Sequence, residues 1–126
     1  QDENSQEDAV VTWADQQNIN QFAKLNTKMS DLEEVYEDKK KEREYLEDLE
    51  QELELADEDE PVRYRIGDAF IHMSLVRAQE RLIKDREEIV GEIDGLKSEM
   101  DGLATEMEAL KKVLYARFGK SINLEK

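Results

Sequence analysis

Residues 62–73 read VRYRIGDAFIHM, and this stretch decides the fold. Two runs that alternate between apolar and polar residues flank a Gly67-Asp68 pair, which is the pattern of a β-hairpin with a two-residue turn. Pairing the runs across that turn places six side chains on one face of the hairpin. The six are Val62, Tyr64, Ile66, Ala69, Ile71 and Met73. A lone two-stranded hairpin is marginal in water and has open edges, so we expect strands from other subunits to cover this face.

Regular apolar spacing on both sides of the hairpin predicts two long helices. Before it, residues 22–36 carry apolar side chains at alternating intervals of three and four, which is the seam of a coiled coil. That seam becomes polar at Lys39 and Arg43, and its phase then slips. After the hairpin, residues 89–114 carry an unbroken seam. Thr12 and the carboxylate three residues later have the form of a capping box for the first helix.

These patterns predict a mostly α-helical chain, with a long antiparallel two-helix coiled coil and one β-hairpin linking the helices. Similar arm lengths and a short connection favour pairing within the chain over pairing between chains. The predicted segments are a disordered acidic N-terminus at residues 1–11, a first helix at 12–56, the hairpin assembly segment at 57–74, a second helix at 75–118 and a tail at 119–126.

Charge and composition exclude several classes of partner. Thirty-three acidic residues against 18 basic ones give a formal net charge of −15, which disfavours nucleic acids and anionic membrane surfaces. The absence of cysteine rules out disulfides and thiolate metal sites. No apolar run approaches the roughly 20 residues of a membrane span. A reducing cytoplasmic or nuclear compartment fits best, and we expect the cytoplasm.

The residue types needed for catalysis are scarce. His72 is the single histidine and falls on the polar side of the hairpin, so we expect it to be structural or solvated. The acidic run at residues 57–60 lacks the glycine and glutamate of a calcium-binding EF-hand loop, which favours a solvated run that ends the helix. The glycines form no phosphate-binding motif. We therefore predict no enzymatic activity, no cofactor and no metal.

Large apolar residues concentrate where the start of the first helix should meet the end of the second. A two-helix seam cannot bury all of them, so we expect an exposed apolar patch of the kind that binds other proteins. Local packing of these side chains against each other is the alternative. The predicted patch comprises Ile19, Phe22, Leu25, Leu110, Leu114 and Phe118.

Three stretches resemble the β-class subunits of the prefoldin family. They are VTWADQQNINQFA at residues 11–23, YRIGDAFI at 64–71 and LYARFGKSINLE at 114–125. The three follow one another in the family's order and cover both ends and the middle of the chain, and one hairpin instead of two is the β-class pattern. The coiled-coil stretches between them are generic and add little.

The resemblance implies a subunit of a cytosolic hetero-hexamer with two α-class and four β-class subunits. In that family the hairpins form a double β-barrel platform, which implies that the six-residue hairpin face is the assembly surface. The open ends of the coiled coils hold unfolded actin and tubulin without ATP and pass them to the cytosolic group II chaperonin, which implies that the residues around Phe22 and Phe118 face the client. The alternative is a passive coiled-coil scaffold or spacer that docks one folded partner.

Overall fold

The structure of this chain, a computed structural model, describes residues 10–125. Helix α1 (Trp13–Glu54) is followed by strands β1 (Val62–Ile66) and β2 (Ala69–Met73), helix α2 (Leu75–Phe118) and a 3-10 turn at Gly119–Ser121. The expected fold, two long helices packed together with one hairpin between them, is confirmed. Most of the expected disordered segment at 1–11 lies outside the described residues. Neither long helix is apolar enough to cross a membrane.

Helix α1 begins at the expected capping box. The amide of Asp15 donates to the Thr12 hydroxyl at 3.1 Å, and the amide of Thr12 donates to the Asp15 carboxylate at 3.0 Å. Both amides lack a partner within the helix, so the pair satisfies them reciprocally. The helix ends at Glu54, earlier than the expected 56, and Ala56 lies exposed in the following turn.

The hairpin pairs in the expected antiparallel register, with Tyr64 opposite Ile71 at its centre. Gly67 has φ +63° whereas Asp68 does not have a positive φ, which is the pattern of a type II′ turn with glycine at its first central position. The two strands differ in burial: β1 carries the fully buried Tyr64, whereas β2 is exposed along most of its length. Strand β1 is therefore the inner strand and β2 the outer one.

Helix α2 has a defined start and end. The amide of Arg77 donates to the Ser74 hydroxyl at 3.2 Å, which caps the first turn. After Phe118 the chain turns at Gly119, whose φ of +59° is the left-handed conformation that commonly ends helices. The Ser121 hydroxyl then donates to the Phe118 carbonyl at 2.6 Å.

The chain forms two compact units. The end unit comprises the described residues of Gln1–Val35 and Leu96–Lys126, and the hairpin unit is Tyr36–Gly95. Within the hairpin unit, Lys39 pairs with Glu92 at 3.2 Å and Glu50 pairs with Arg86 at 2.7 Å. As the residue number rises along α1, the residue number of its partner on α2 falls, so the helices run antiparallel in this unit. The Glu92 carboxylate gives Lys39 an ion-pair partner beside the seam, and the same contact raises the pKa of Lys39 above its usual value.

Each unit has its own apolar core. In the hairpin unit, strand β1 and both helices form the hairpin cluster, whose buried members are Leu46, Leu49, Leu53, Tyr64, Leu75, Ala78, Leu82, Ile89 and Ile93. In the end unit, the start of α1, the end of α2 and the tail segment (residues 119–125) form the end cluster. Its buried members are Phe22, Leu114, Phe118 and Leu124.

Candidate functional site

Tyr64 lies in the interior of the hairpin unit, although the sequence placed it on an open assembly face. Its side chain is fully buried, and its hydroxyl donates to the Asp85 carboxylate at 2.9 Å. Asp85 also accepts from the Arg81 guanidinium at 3.0 Å. Burial, followed by the Asp85 hydrogen bond, raises the pKa of Tyr64 above its usual value. In this structure the tyrosine is part of the core.

The other predicted assembly residues divide between the core and the surface. Val62, Ile66 and Met73 are partly buried against the hairpin cluster. Ala69 and Ile71 are exposed, Ile71 by 46%. The expectation that all six side chains lie open was therefore wrong, because the chain's own helices cover the inner strand. The chemistry of the six residues gave no signal that one strand would be covered and the other left free.

Apart from Leu55, the exposed large apolar side chains of the hairpin unit lie on the outer strand and on the helix after it. Phe70 is half-exposed, and the Arg63 guanidinium stacks over its ring at 3.9 Å. On α2, exposed apolar residues recur every seven positions, which places them along one face of the helix. They are Val76, Ile83 and Val90.

The structure gathers the predicted end residues but buries them. Phe22, Leu114 and Phe118 are buried in the end cluster, and Ile19 and Leu110 pack partly buried against it. Leu25 is also buried, outside that cluster. The exposed patch expected from these residues is therefore not what the structure shows.

Two residues of the tail segment contribute to that burial. Ile122 and Leu124 fold back onto the end cluster, so a third piece of chain covers what two helices cannot. Local packing, the alternative considered from the sequence, describes this cluster. The alternation of apolar residues at 122 and 124 is the signal that could have indicated an extended segment lying on an apolar surface.

An ion pair joins the start of α1 to the end of α2. The Asp15 carboxylate, 6% exposed, accepts from the Arg117 guanidinium at 2.6 Å and 3.0 Å. Arg117 also donates to the Val10 carbonyl at 2.9 Å. These bonds, with those to Thr12, hold the pKa of the Asp15 carboxyl well below its usual range. Sequence analysis identified Asp15 as a helix cap only and missed this second partner.

Exposed apolar side chains remain in the end unit, at positions outside the predicted six-residue patch. Trp13, the single tryptophan, is 78% exposed on the first turn of α1. Val10 and Val11 precede it and are also exposed, and Val113 is 46% exposed near the end of α2. None of the four falls on the coiled-coil seam, which is why seam spacing gave no signal for them.

The residues weighed for catalysis or metal binding lie on the surface. His72 is exposed on β2, and the acidic run at 57–60 forms an exposed turn in which the Asp59 amide donates to the Asp57 carboxylate at 3.0 Å. Within residues 10–125, no group of three histidine, aspartate or glutamate side chains is placed to hold a metal ion.

Comparisons with known proteins agree with this description. The family model described as prefoldin subunit matches residues 16–121. A Homo sapiens protein named prefoldin subunit 4 is 42% identical over 94% of this chain and 90% of its own length. The protein of that name from Saccharomyces cerevisiae is 39% identical over 92% of this chain and 90% of its own. A probable prefoldin subunit 4 from Drosophila melanogaster is 37% identical over 94% and 86%.

The match includes both helices and the hairpin, and it confirms the resemblance found in three short stretches of sequence. The chain therefore belongs to the prefoldin subunit family, whose members are non-enzymatic components of a hetero-oligomeric co-chaperone.

Proposed function

We propose that this chain is one subunit of a cytoplasmic hexamer that holds unfolded proteins without ATP, among them actin and tubulin, and delivers them to the cytosolic chaperonin. The family match over residues 16–121 is the observation that carries the proposal. Exposed apolar side chains in each of the two units support it, since such surface usually marks interaction sites. The hairpin unit would assemble the hexamer, and the end unit would contact the client.

The outer strand is the part of the hairpin that supports an assembly role. Strand β2 pairs with β1 along one edge, so its other edge offers backbone donors and acceptors to a strand from a neighbouring subunit. Ala69 and Ile71 are exposed on one face of that strand and Phe70 on the other, and the side chains of an added strand would cover part of this apolar surface. Val62, Tyr64, Ile66 and Met73 would act by holding β1 against the helices, so that β2 is presented in one position.

A charge placed on the outer strand tests the assembly role. We expect Ile71→Asp to prevent hexamer formation when the subunits are co-expressed, because a carboxylate buried without a partner costs several kcal/mol. Val113→Asp is the matched control, since Val113 has the same 46% exposure but lies in the end unit. Size-exclusion chromatography with light scattering reads out the mass. Intact hexamers from Ile71→Asp would refute the assembly role.

The exposed residues at the start of α1 support a client-binding role. Trp13 offers a large apolar surface with few rotatable bonds, and Val10 and Val11 extend the apolar surface along the chain before it. Contacts of this size are individually weak, so capture requires the helical coiled coils of several subunits to bind one client at once. Weak contacts also allow fast release, which transfer to a chaperonin needs.

Replacing those exposed side chains tests the client role. We expect Val10→Ser with Trp13→Ser, in the assembled hexamer, to weaken suppression of aggregation of denatured actin. The control is Leu55→Ser, which removes a side chain that is 90% exposed in the hairpin unit. A complex that ignores denatured proteins and binds one folded partner would favour the scaffold alternative. Undiminished suppression by the double variant would refute the role of these residues.

A further inference from the structure

The tail segment lies on the end cluster as an extended peptide. Ile122 has φ −122° and ψ 140°, which is β-like backbone. In such backbone, side chains two apart point the same way, and Ile122 and Leu124 accordingly both pack on the end cluster while Asn123 between them is exposed. The surface beneath them is formed by helical residues, among them Phe22, Leu114 and Phe118.

Two polar groups on α2 also contact the tail segment, so that the apolar surface and these groups together form a groove. The Tyr115 hydroxyl accepts the backbone amide of Leu124 at 3.2 Å, a contact that any residue except proline can make. The ammonium of Lys111 lies 3.6 Å from the Glu125 carboxylate, and the Tyr115 hydroxyl lies 3.5 Å from the same carboxylate. The groove therefore combines an apolar floor, a side-chain hydroxyl that accepts from a backbone amide, and a positive charge beside the position that follows the buried leucine.

The tail segment is held less firmly than the walls of its groove. Leu124 is its one buried side chain, and Ile122 is partly buried. The Glu125 carboxylate is 72% exposed, so its ion pair with Lys111 is screened by solvent. The groove walls belong instead to two long helices with continuous backbone hydrogen bonding. A competing peptide could thus replace the tail segment without unfolding the helices.

We propose that this groove is a binding site for extended segments of client proteins in which two apolar residues two apart are followed by an acidic residue, and that the tail segment occupies the groove until such a segment displaces it. The inference rests on the proposed chaperone function, and it specifies the class of client segment that this subunit binds. The Lys111 ammonium disfavours a basic residue at the final position. Because the tail segment belongs to the same chain, it keeps the apolar floor of the groove covered when no client is present.

A labelled peptide measures the competition. The probe is KSINLE, the sequence of residues 120–125, acetylated and amidated so that it brings no terminal charges. We expect the full chain with Leu124→Ser to bind this peptide at least about tenfold more tightly than the parent chain, because the parent's tethered segment competes at a roughly millimolar effective concentration. Fluorescence anisotropy gives both affinities. Equal affinities would overturn the proposal.

Exchanging the charge at position 111 tests which final residue the groove prefers. A second variant guards against a folding artefact. In the Leu124→Ser background we expect KSINLE to bind about twofold to fivefold more tightly than KSINLK, as for a solvent-exposed ion pair. Adding Lys111→Glu should reverse that preference, and an unchanged preference would overturn the proposal. If circular dichroism shows lost helicity in Leu124→Ser, Ile122→Ser replaces it, because Ile122 is only partly buried. Adding Val113→Ser, at an exposed site on the same helix, should leave both affinities unchanged.

Aggregation assays on the hexamer separate this inference from the proposed function. If the hexamer with the parent chain protects denatured actin while no variant of the chain binds the peptide, the groove fails and the chaperone function stands. If that hexamer gives no protection, the proposed function fails and the client assignment of the groove fails with it. Three results together support the inference: peptide binding, reversal of the preference for KSINLE over KSINLK by Lys111→Glu, and stronger protection by hexamers that carry Leu124→Ser.

Discussion

Tyr64→Phe removes one hydroxyl from the interior of the hairpin unit and leaves the aromatic ring in place. The lost hydrogen bond to the Asp85 carboxylate is 2.9 Å long, and bonds to charged groups contribute about 1.5–3 kcal/mol. Asp85 keeps its bond to Arg81 and is 19% exposed, so water can replace part of what is lost. We therefore expect the free energy of unfolding to fall by about 1.5 kcal/mol, the lower end of that range.

Urea unfolding followed by far-ultraviolet circular dichroism measures this change. Parent and variant are compared at one protein concentration, because any self-association would couple to folding. Tyr45→Phe is the matched control: its ring is partly buried against the same cluster and stacks under the Arg65 guanidinium at 4.3 Å, and the variant keeps that ring. We expect the control to change stability by less than about 0.5 kcal/mol.

The pH dependence gives the same prediction an independent check. The folded-state pKa of Tyr64 is raised by burial and by Asp85, so its stabilisation is complete below the unfolded pKa of about 10 and declines as the pH rises above it. The difference in stability between parent and Tyr64→Phe should therefore shrink between about pH 9 and pH 11. Equal stability of Tyr64→Phe and Tyr45→Phe at neutral pH would refute the reasoning about the Asp85 hydrogen bond.

Three further predictions concern the end unit and the helices. Leu114→Ala should lower the free energy of unfolding by about 3 kcal/mol because it empties a fully buried site, whereas Val113→Ala should change it little; similar values in urea unfolding would contradict this packing. Asp15→Asn should destabilise the chain at neutral pH. Since Arg117 lowers the pKa of Asp15, that difference should persist at about pH 5 and fade as the pH drops below about 4; a constant difference would argue against the ion pair. Gly95→Ala should raise thermal stability, by up to about 1 kcal/mol, because an added methyl group meets nothing within 4 Å; a lower melting temperature would show an unrecognised contact.

The hairpin shows which features a local pattern can determine. Its register follows from a two-residue turn and a side-chain period of two, so the pairing of Tyr64 with Ile71 was predictable. The covering of one strand by the helices was not, because it depends on how the hairpin tilts against them. Thus Tyr64 and Ile71 share a face of the hairpin, yet one is buried in the core and the other is half-exposed.

The end unit shows the same division. Seam spacing identified Phe22, Leu114 and Phe118 as neighbours, and the structure gathers them in one cluster. Their exposure was mispredicted because the two helices were taken as the only cover for the apolar side chains at this end, whereas the tail segment packs on them as well. The ion pair of Asp15 with Arg117 joins residues 102 positions apart, and no local pattern indicates a partner at that distance.

The two cores can form at different times during synthesis, because their residues are spread differently along the chain. Every buried member of the hairpin cluster lies between Leu46 and Ile93, so that core can close before the residues after Ile93 have left the ribosome. The end cluster joins Phe22 to Leu124, and Phe22 is made about a hundred codons before the leucine that covers it. During synthesis, Phe22 is therefore the first buried member of the end cluster to be made, and it must wait for Leu124 to cover it.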